Sequence, residues 1–380
     1  MFDVIIIGAG LSGAVLAERF ASQQNKKILL IERRRHVAGN CYDEDDENGI
    51  LIHKYGPHLF HTDFEDVWKY LSQFTEWDVY QHRVCAMIDG QPVPIPFNFN
   101  TIQKVFPKNL ADRLENALLQ SFDYGQKVPI LELKKSADED LRFLADYVYE
   151  KVFLHYTEKQ WGQTPDQIAG AVTARVPIYI GRDDRYFNDR FQAVPKKGYT
   201  ALVKNMLAHK NIKLLLNTDF HEVVGMHGRE IYLFGQRFMG RLIYTGQLDE
   251  LFRNKFGSLP YRSLEMKFET VDAEHFQEFA TVNYPNNYDF TRITEFKNIH
   301  PTKSPRTTIL KEYPQNYVAG INLPYYPVFN DEAKEAYEKY SAEIAKYARI
   351  KPVGRLAEYR YYDMDDVVKR ALEVYAEMSS

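Results

Sequence analysis

The opening of the chain constrains its fold more than any other stretch. Phe2 to Ile7 is a compact apolar run, read as a buried parallel strand. Gly8-Ala-Gly10-Leu11-Ser12-Gly13 follows at once, and Ala14 to Ala21 carries a helical pattern with Val15, Leu16 and Phe20 apolar and Glu18 and Arg19 polar. Lys27 to Ile31 is a second apolar strand, ended by Glu32. A lone glycine triplet would say little. Strand, glycine turn, helix, strand and acid in this order predict a dinucleotide-binding α/β domain.

Each residue type has a physical reason. Gly8 permits the tight turn, Gly10 lets a pyrophosphate approach the backbone, and Gly13 lets helix and strand pack closely. The helix start offers unpaired N–H groups and a positive dipole end to an anion. Glu32 stands where a ribose diol would donate hydrogen bonds, which suits FAD or NAD rather than NADP. The following Arg33-Arg34-Arg35-His36-Val37-Ala38-Gly39-Asn40 is basic and ends in Gly39-Asn40, a loop that favours FAD over NAD.

Composition excludes other classes. The 48 Lys+Arg against 52 Asp+Glu leave a charge of −4, so no overall field points to nucleic acid or an anionic membrane. No apolar run approaches a membrane span, and mean hydropathy is −0.45. Met1-Phe2-Asp3 leads straight into the first strand without a basic leader, so a cytoplasmic protein is expected. Cys41 and Cys85 match neither a metal site nor a disulfide framework. The 380 residues suggest two or three domains, and without a linker-like tract these must be interleaved. The 27 tyrosines reflect packing, a cleft lined with phenols, or both.

Further along, Tyr55-Gly-Pro-His58-Leu59-Phe-His61-Thr62 precedes a predicted helix from Asp63 to about Phe74, with Thr62 and Glu65 as a capping box. Two His without an acid or Cys at ligand spacing make a poor metal site. Arg83–Ile88, Asp89-Gly90 and Gln91–Ile95 predict a hairpin whose second strand, with Pro92 and Pro94, can only be an edge. Helical periodicity covers Asn109–Phe122 and Asp138–Phe153, a small helical insertion. Ile168–Ile178 reads as a mobile loop carrying Arg175. Pro195 to Tyr199 opens a helix to about Leu207, followed by a strand at Ile212–Leu216. From Ile231 to Tyr313 short β-like runs predict an antiparallel sheet. Asp363 is a candidate N-cap for a last helix to about Met378.

Taken in order, these strings resemble the bacterial UDP-galactopyranose mutase family along essentially the whole chain. The carrying motifs are the glycine turn, Tyr55–Thr62, Tyr156-Thr157-Glu-Lys-Gln-Trp161-Gly, Asp183-Asp-Arg-Tyr186-Phe and Phe290-Thr-Arg292-Ile-Thr-Glu295. Pro324-Tyr-Tyr326-Pro327, Gly354-Arg355-Leu356 and Tyr361-Tyr362-Asp363-Met364-Asp365 complete them. The resemblance implies an α/β fold: a discontinuous Rossmann-like FAD-binding domain (1–78, 193–247 and 318–380), a helical-bundle insertion (98–165) and an antiparallel sheet domain (79–97, 166–192 and 248–317).

It also implies an isomerase that interconverts UDP-galactopyranose and UDP-galactofuranose, supplying galactofuranose for surface polysaccharide. The implied route is a covalent adduct of reduced flavin N5 with the anomeric carbon, with FAD reduced by an external donor such as NAD(P)H and the protein a homodimer. Arg175 and Arg292 match the diphosphate arginines, and His61 a histidine beside the flavin. Tyr156, Thr157, Trp161, Tyr186, Asn283, Glu312, Tyr326 and Tyr361 match substrate positions. Gly8, Gly10, Leu11, Ser12, Gly13, Glu32, Arg33, Gly39, Asn40, His58, Leu59, Arg355, Tyr362, Asp363 and Met364 match the cofactor side; no metal is implied. Three positions depart: Ala38 where a glycine is common, His82 where relatives can show Asn, and Val152 where an aromatic near uracil is common. An amine-oxidase-like flavoenzyme and a non-catalytic UDP-sugar binder are the rival readings.

Overall fold

The computed structural model describes residues 2–162 and 177–379, and of Trp161 only the backbone. Five strands form a wholly parallel sheet in the order Ile212–Leu215, Ile28–Ile31, Val4–Ile7, Arg241–Tyr244, Ile350–Pro352. Val4–Ile7 and Ile28–Ile31 are buried at every residue because both faces are covered, which is why they read as unbroken apolar runs. Val4 and Ile6 pack with Leu16 and Phe20 of the helix Leu11–Gln24 and with Val368 and Ala371 of the helix Met364–Ser379. Ile5 and Ile7 share the opposite core with Tyr340 and Ile344 of the helix Asp331–Ile344.

A second, seven-stranded sheet runs Tyr326–Pro327, Tyr261–Val271, Thr307–Asn316, Arg292–Glu295, Thr281–Asn283, Val84–Ile88, Gln91–Ile95. Asp89 and Gly90 both have positive φ, the turn that closes a two-residue hairpin, and the proline-bearing strand is an edge as expected. The expectation of an antiparallel sheet needs one correction: Thr281–Asn283 pairs parallel with Val84–Ile88. Only strands joined by a tight hairpin are bound to run antiparallel, and some two hundred residues separate these two. The run at Ile231 is a second correction. Glu230–Leu233 belongs to a separate three-stranded sheet with Val224–His227 and Gln236–Phe238.

The helices Phe99–Val105, Lys108–Ser121 and Glu139–Val148 bury Ile102, Leu114, Leu118, Leu141, Leu144 and Val148 against the hairpin residues Val93 and Ile95. The helix expected through Phe153 changes at Tyr149–Leu154 into a π turn, before the helix His155–Trp161. The extra residue per turn shifts the face that Tyr156 and Thr157 present, and periodicity alone cannot announce it. The helix expected from Asp63 starts at Glu65 instead. Thr62 is held in the strand Phe60–Thr62 against Phe191–Ala193, and its hydroxyl accepts the N–H of Phe64 rather than capping. No described helix is long and apolar enough to cross a membrane.

Candidate active site

One cavity of about 680 Å³ runs from the first glycine turn, at the C-terminal edge of the parallel sheet, to the second sheet. At the first end, Gly8, Gly10, Leu11 and Ser12 line it. The helix Leu11–Gln24 has no side-chain cap, so its first N–H groups are left for a ligand. Gly13 lies behind this wall rather than on it. A Cβ there would run into the Gly8 carbonyl, so the close turn-to-helix packing needs glycine. A Cβ on Gly39 would lie 3.0 Å from the Gly10 Cα, so the two loops meet backbone to backbone where an anion would have to pass.

Glu32 is 7% exposed and on the wall, with its carboxylate accepting the N–H groups of Ala9 and Arg34 at 2.9 Å. Arg33, at the rim, pairs with Glu250 at 2.8 Å. The arginine turned inward is its neighbour. Arg34 lies 4.4 Å over the Tyr55 ring and donates to Asn40 Oδ1, while its buried Nη1 has no hydrogen-bond partner. A run of three arginines cannot tell which one faces in, and the sequence reading singled out Arg33. Ala38 takes a left-handed φ of 74° while almost fully buried, a conformation that suits the glycine common there.

Beyond the glycine turn, Tyr55, Gly56, Pro57, His58 and Leu59 form one continuous stretch of wall, faced by Arg355, Tyr362, Asp363 and Met364. Burial pushes His58 down to about 4, helped by the charges of Arg355 and Arg292, so its ring is neutral. Arg355 stacks 4.5 Å over Tyr361, which lies parallel to Tyr326, and its buried Nε is without a partner. Two orphaned guanidinium nitrogens and a glycine cradle fit a dinucleotide with an anionic middle. Asp363 stands before the last helix with its backbone N–H bonded to Asp366 Oδ2, half of a capping arrangement.

His61 stacks on Phe187 at 3.7 Å, and its Nδ1 lies 3.2 Å from Asp189 Oδ2. Burial works against its charge. Asp189, with Asp363 and Asp365, outweighs burial and holds the imidazole above its ordinary value. Nothing in the sequence flagged Asp189, 128 residues away. His82 also lines the cavity. Tyr80 Oη sits 3.1 Å from its Nδ1, and burial pushes it down to about 3, so it is neutral.

At the far end, Arg292 stands between Asn283 and Glu312 on adjacent strands. Arg292 and Asn283 line the cavity; Glu312, 1% exposed, lies behind and accepts from Arg292 Nε at 2.6 Å. Glu312 is therefore a support for the guanidinium, not a wall residue. Burial disfavours the Arg292 charge, yet Glu312 and the Tyr156 and Tyr326 phenols keep it firmly protonated. Tyr156, Tyr186, Tyr326 and Tyr361 share the cavity. Burial pushes Tyr326 up to about 12 and Tyr156 further, so both keep their O–H. Thr157 is buried but off the wall. Lys159, unmarked in the sequence reading, docks the helix beneath Tyr156 by donating to the carbonyls of Tyr284, Tyr288 and Phe290. Val152 and Phe153 pack in the helical core, away from the cavity. Arg175 and residues 168–176 of its expected loop lie outside the described residues, as does the Trp161 side chain; the last two residues of that expected loop, Pro177 and Ile178, instead form a strand paired with Lys127–Pro129. Among the described residues no three His, Cys, Asp or Glu gather as metal ligands, and Cys41 and Cys85 are buried thiols.

Comparison with known proteins agrees with this geometry. Residues 151–361 match the family model described as GLF: UDP-galactopyranose mutase, and residues 6–74 match that of an NAD(P)-binding Rossmann-like domain. A probable UDP-galactopyranose mutase of Klebsiella pneumoniae is 35% identical across 100% of this chain and 95% of its own length. The dTDP-fucopyranose mutase of Escherichia coli is 33% identical, covering 98% and 97%. A crystal structure of reduced UDP-galactopyranose mutase superposes with a TM-score of 0.72 at 17% identity, covering 100% and 94%, and so shares the fold. A chain matched over its whole length at this identity, and over most of its second half by the family model, belongs to the UDP-galactopyranose mutase family of isomerases.

Proposed function

We propose that this enzyme binds FAD along the glycine-lined half of the cavity and interconverts UDP-galactopyranose and UDP-galactofuranose in the phenol-lined half. The observation that carries the reading is Arg292: a buried, charged guanidinium on the wall, braced by Glu312 and ringed by Tyr156, Tyr186 and Tyr326. A leaving diphosphate needs a fixed cationic fork and neutral hydroxyl donors, and that set supplies both. Arg175, matched from the sequence, adds the second cation, and Thr157 and Trp161 belong to the same helix as Tyr156.

Reduced FAD, when bound, supplies N5 as the nucleophile for the sugar's anomeric carbon. The chain's own part is separate. Gly8, Gly10 and the Leu11–Ser12 helix start receive the cofactor's pyrophosphate, Glu32 its ribose, and Asn40, Arg33 and Arg34 the loop over it. Arg355 and the Tyr362-Asp363-Met364 turn hold the ring end, where a helix start favours negative charge. The His61 imidazole, beside that end, is held above its ordinary value by Asp189. Arg292 and the phenols hold the departing UDP close enough to return. The full proposal has an external reductant such as NAD(P)H, a cytoplasmic homodimer, and galactofuranose destined for surface polysaccharide.

The E. coli relative gives a second reading, because dTDP-fucopyranose needs the same chemistry on a 6-deoxy sugar with a different base. Isomerisation assays with each nucleotide sugar, with and without dithionite and read by chromatography, decide between them. The proposal expects a yellow protein that turns over UDP-galactofuranose only when reduced. Equal turnover by oxidised enzyme would sink the flavin role, and preference for dTDP-fucofuranose would move the substrate assignment. Arg175→Ala should cost about 1.5–3 kcal/mol in kcat/KM without lowering flavin content.

A further inference from the structure

Behind the wall formed by Tyr55 to Leu59 lie two histidines, His53 and His300, that the proposed reaction does not use. His53 ends the strand Leu51–His53 and is fully buried. Its Nδ1 accepts the backbone N–H of His58 at 3.0 Å, and its Nε2 lies 3.1 Å from Nε2 of His300. His300 is 8% exposed and follows the short helix Phe296–Asn298, which continues from the strand Arg292–Glu295 of the second sheet. The contact therefore joins the two-stranded ribbon Asp43–Asp45/Leu51–His53 to the segment that follows the strand Arg292–Glu295 of the second sheet.

The hydrogen bonds fix where each proton sits. A backbone N–H can only donate, so His53 Nδ1 is unprotonated. The neutral ring then carries its proton on Nε2 and donates it to His300, whose Nε2 must accept and whose proton is on Nδ1. The His58 ring donates from Nδ1 to the Gly56 carbonyl at 2.8 Å, which leaves its lone pair on Nε2. The two links through His53 require neutral rings on both His53 and His300. A proton added to His53 Nδ1 or His300 Nε2 would set N–H against N–H.

We infer that His53 and His300 are positioning residues: two neutral imidazoles in series hold the backbone of His58, and with it the Tyr55–Leu59 wall, in place for the cofactor. The surroundings agree. Burial, with the neighbouring histidines, holds His53 well below its ordinary value, and burial holds His300 down to about 4 against the pull of Asp78. Across the strand pair, Asp43 faces His53, but its carboxylate is occupied by the N–H groups of Tyr199 and Thr200. The Tyr199 and Phe296 rings close the remaining sides. His58 itself is kept neutral by burial and by Arg355 and Arg292. The sign follows: histidines with depressed values cost stability as pH falls below about 6.5, where the unfolded chain takes up protons and the folded one does not.

The inference rests on the flavin reading for its functional readout only. The experiment compares the holoenzyme with His300→Leu, which removes the acceptor, and His300→Gln, whose side-chain carbonyl can accept without titrating. At pH 7.5 the Leu variant should bind FAD about tenfold more weakly, the effect of one buried unsatisfied donor, and the Gln variant close to wild type. Between pH 7.5 and 5 the Gln variant should lose stability, read by urea unfolding, less steeply than wild type. Ring ¹⁵N NMR of wild type should show His53 protonated at Nε2 and bare at Nδ1, a readout that needs no flavin and survives failure of the cofactor assignment. A His53 proton on Nδ1, Leu and Gln variants of equal FAD affinity, or a Gln variant with the wild-type pH slope overturns the inference.

Discussion

The two ends of the cavity are built by different means. At the nucleotide end the wall is largely backbone: the Gly8–Ser12 turn, the Gly39–Gly10 approach and a bare helix start. Its parts come from the first 40 residues, with closing pieces from the C-terminal segment. At the sugar end the wall is side chains, and they arrive from the helical insertion (Tyr156), a loop (Tyr186), three strands of the second sheet (Asn283, Arg292, Tyr326) and the returning chain (Tyr361). A pyrophosphate is met by N–H groups whose placement is fixed once the turn is fixed. A departing diphosphate needs charge and hydroxyl donors that only tertiary packing can bring together. The backbone end should therefore fail all at once under mutation, and the side-chain end by degrees.

Gly13→Val breaks the backbone end. The new side chain meets the Gly8 carbonyl, which cannot move without the turn. We expect flavin to be lost outright and stability to fall by about 3 kcal/mol or more, read by absorbance of the purified protein and by urea unfolding. A yellow Gly13→Val protein of normal stability would remove the distinction between the ends.

Arg292→Ala tests the other end. It should leave flavin content intact and lower kcat/KM by about 10- to 150-fold, with further loss of stability because Glu312 is left buried and unpaired. Arg292→Lys keeps the charge but not the fork and should fall between the two. Loss of flavin in Arg292→Ala would mean that the ends are not separable.

The His61–Asp189 pair lies where they meet. Its folded-state values are spread, His61 raised and Asp189 lowered. The His61 contribution is complete below its unfolded value and lost as pH rises through its folded one. The Asp189 contribution is complete above its unfolded value and lost as pH falls through its folded one. Stability from the pair thus peaks in mildly acidic solution. Asp189→Asn should flatten that maximum by no more than about 1 kcal/mol after solvent screening, and should lower the His61 midpoint in an NMR titration. An unmoved midpoint would dissolve the pair.

The smallest effect is at Ala38. Ala38→Gly relieves a left-handed alanine, partly offset by chain entropy, and should gain up to about 1 kcal/mol in urea unfolding with unchanged flavin binding.

Legibility follows the same division. The glycine turn, both parallel strands, the Asp89-Gly90 hairpin with its proline edge and most helices could be read from short-range pattern, because each is dictated by neighbours in sequence. Where pattern misled, a distant partner had decided. Thr62 was drawn from a capping position into a strand by Phe191–Ala193, and Thr281–Asn283 joined Val84–Ile88 in parallel across the chain. The π turn at Tyr149 broke a helical period that looked continuous. The family resemblance located Arg292, but not that Glu312 stands behind it. Nor could the arginine run say that Arg34 lies over Tyr55 while Arg33 pairs with Glu250 at the rim.

The sequence by itself determined the nucleotide-binding half and the family of the chain, since local turn chemistry and motif order are written in consecutive residues. Only the tertiary structure decided which phenols share a cavity with Arg292, which carboxylates brace Arg292 and His61, and that His53 and His300 meet under the cofactor wall. Those relations join residues more than a hundred positions apart in most cases, and they exist only once burial makes an unpaired charge or proton too costly to leave alone.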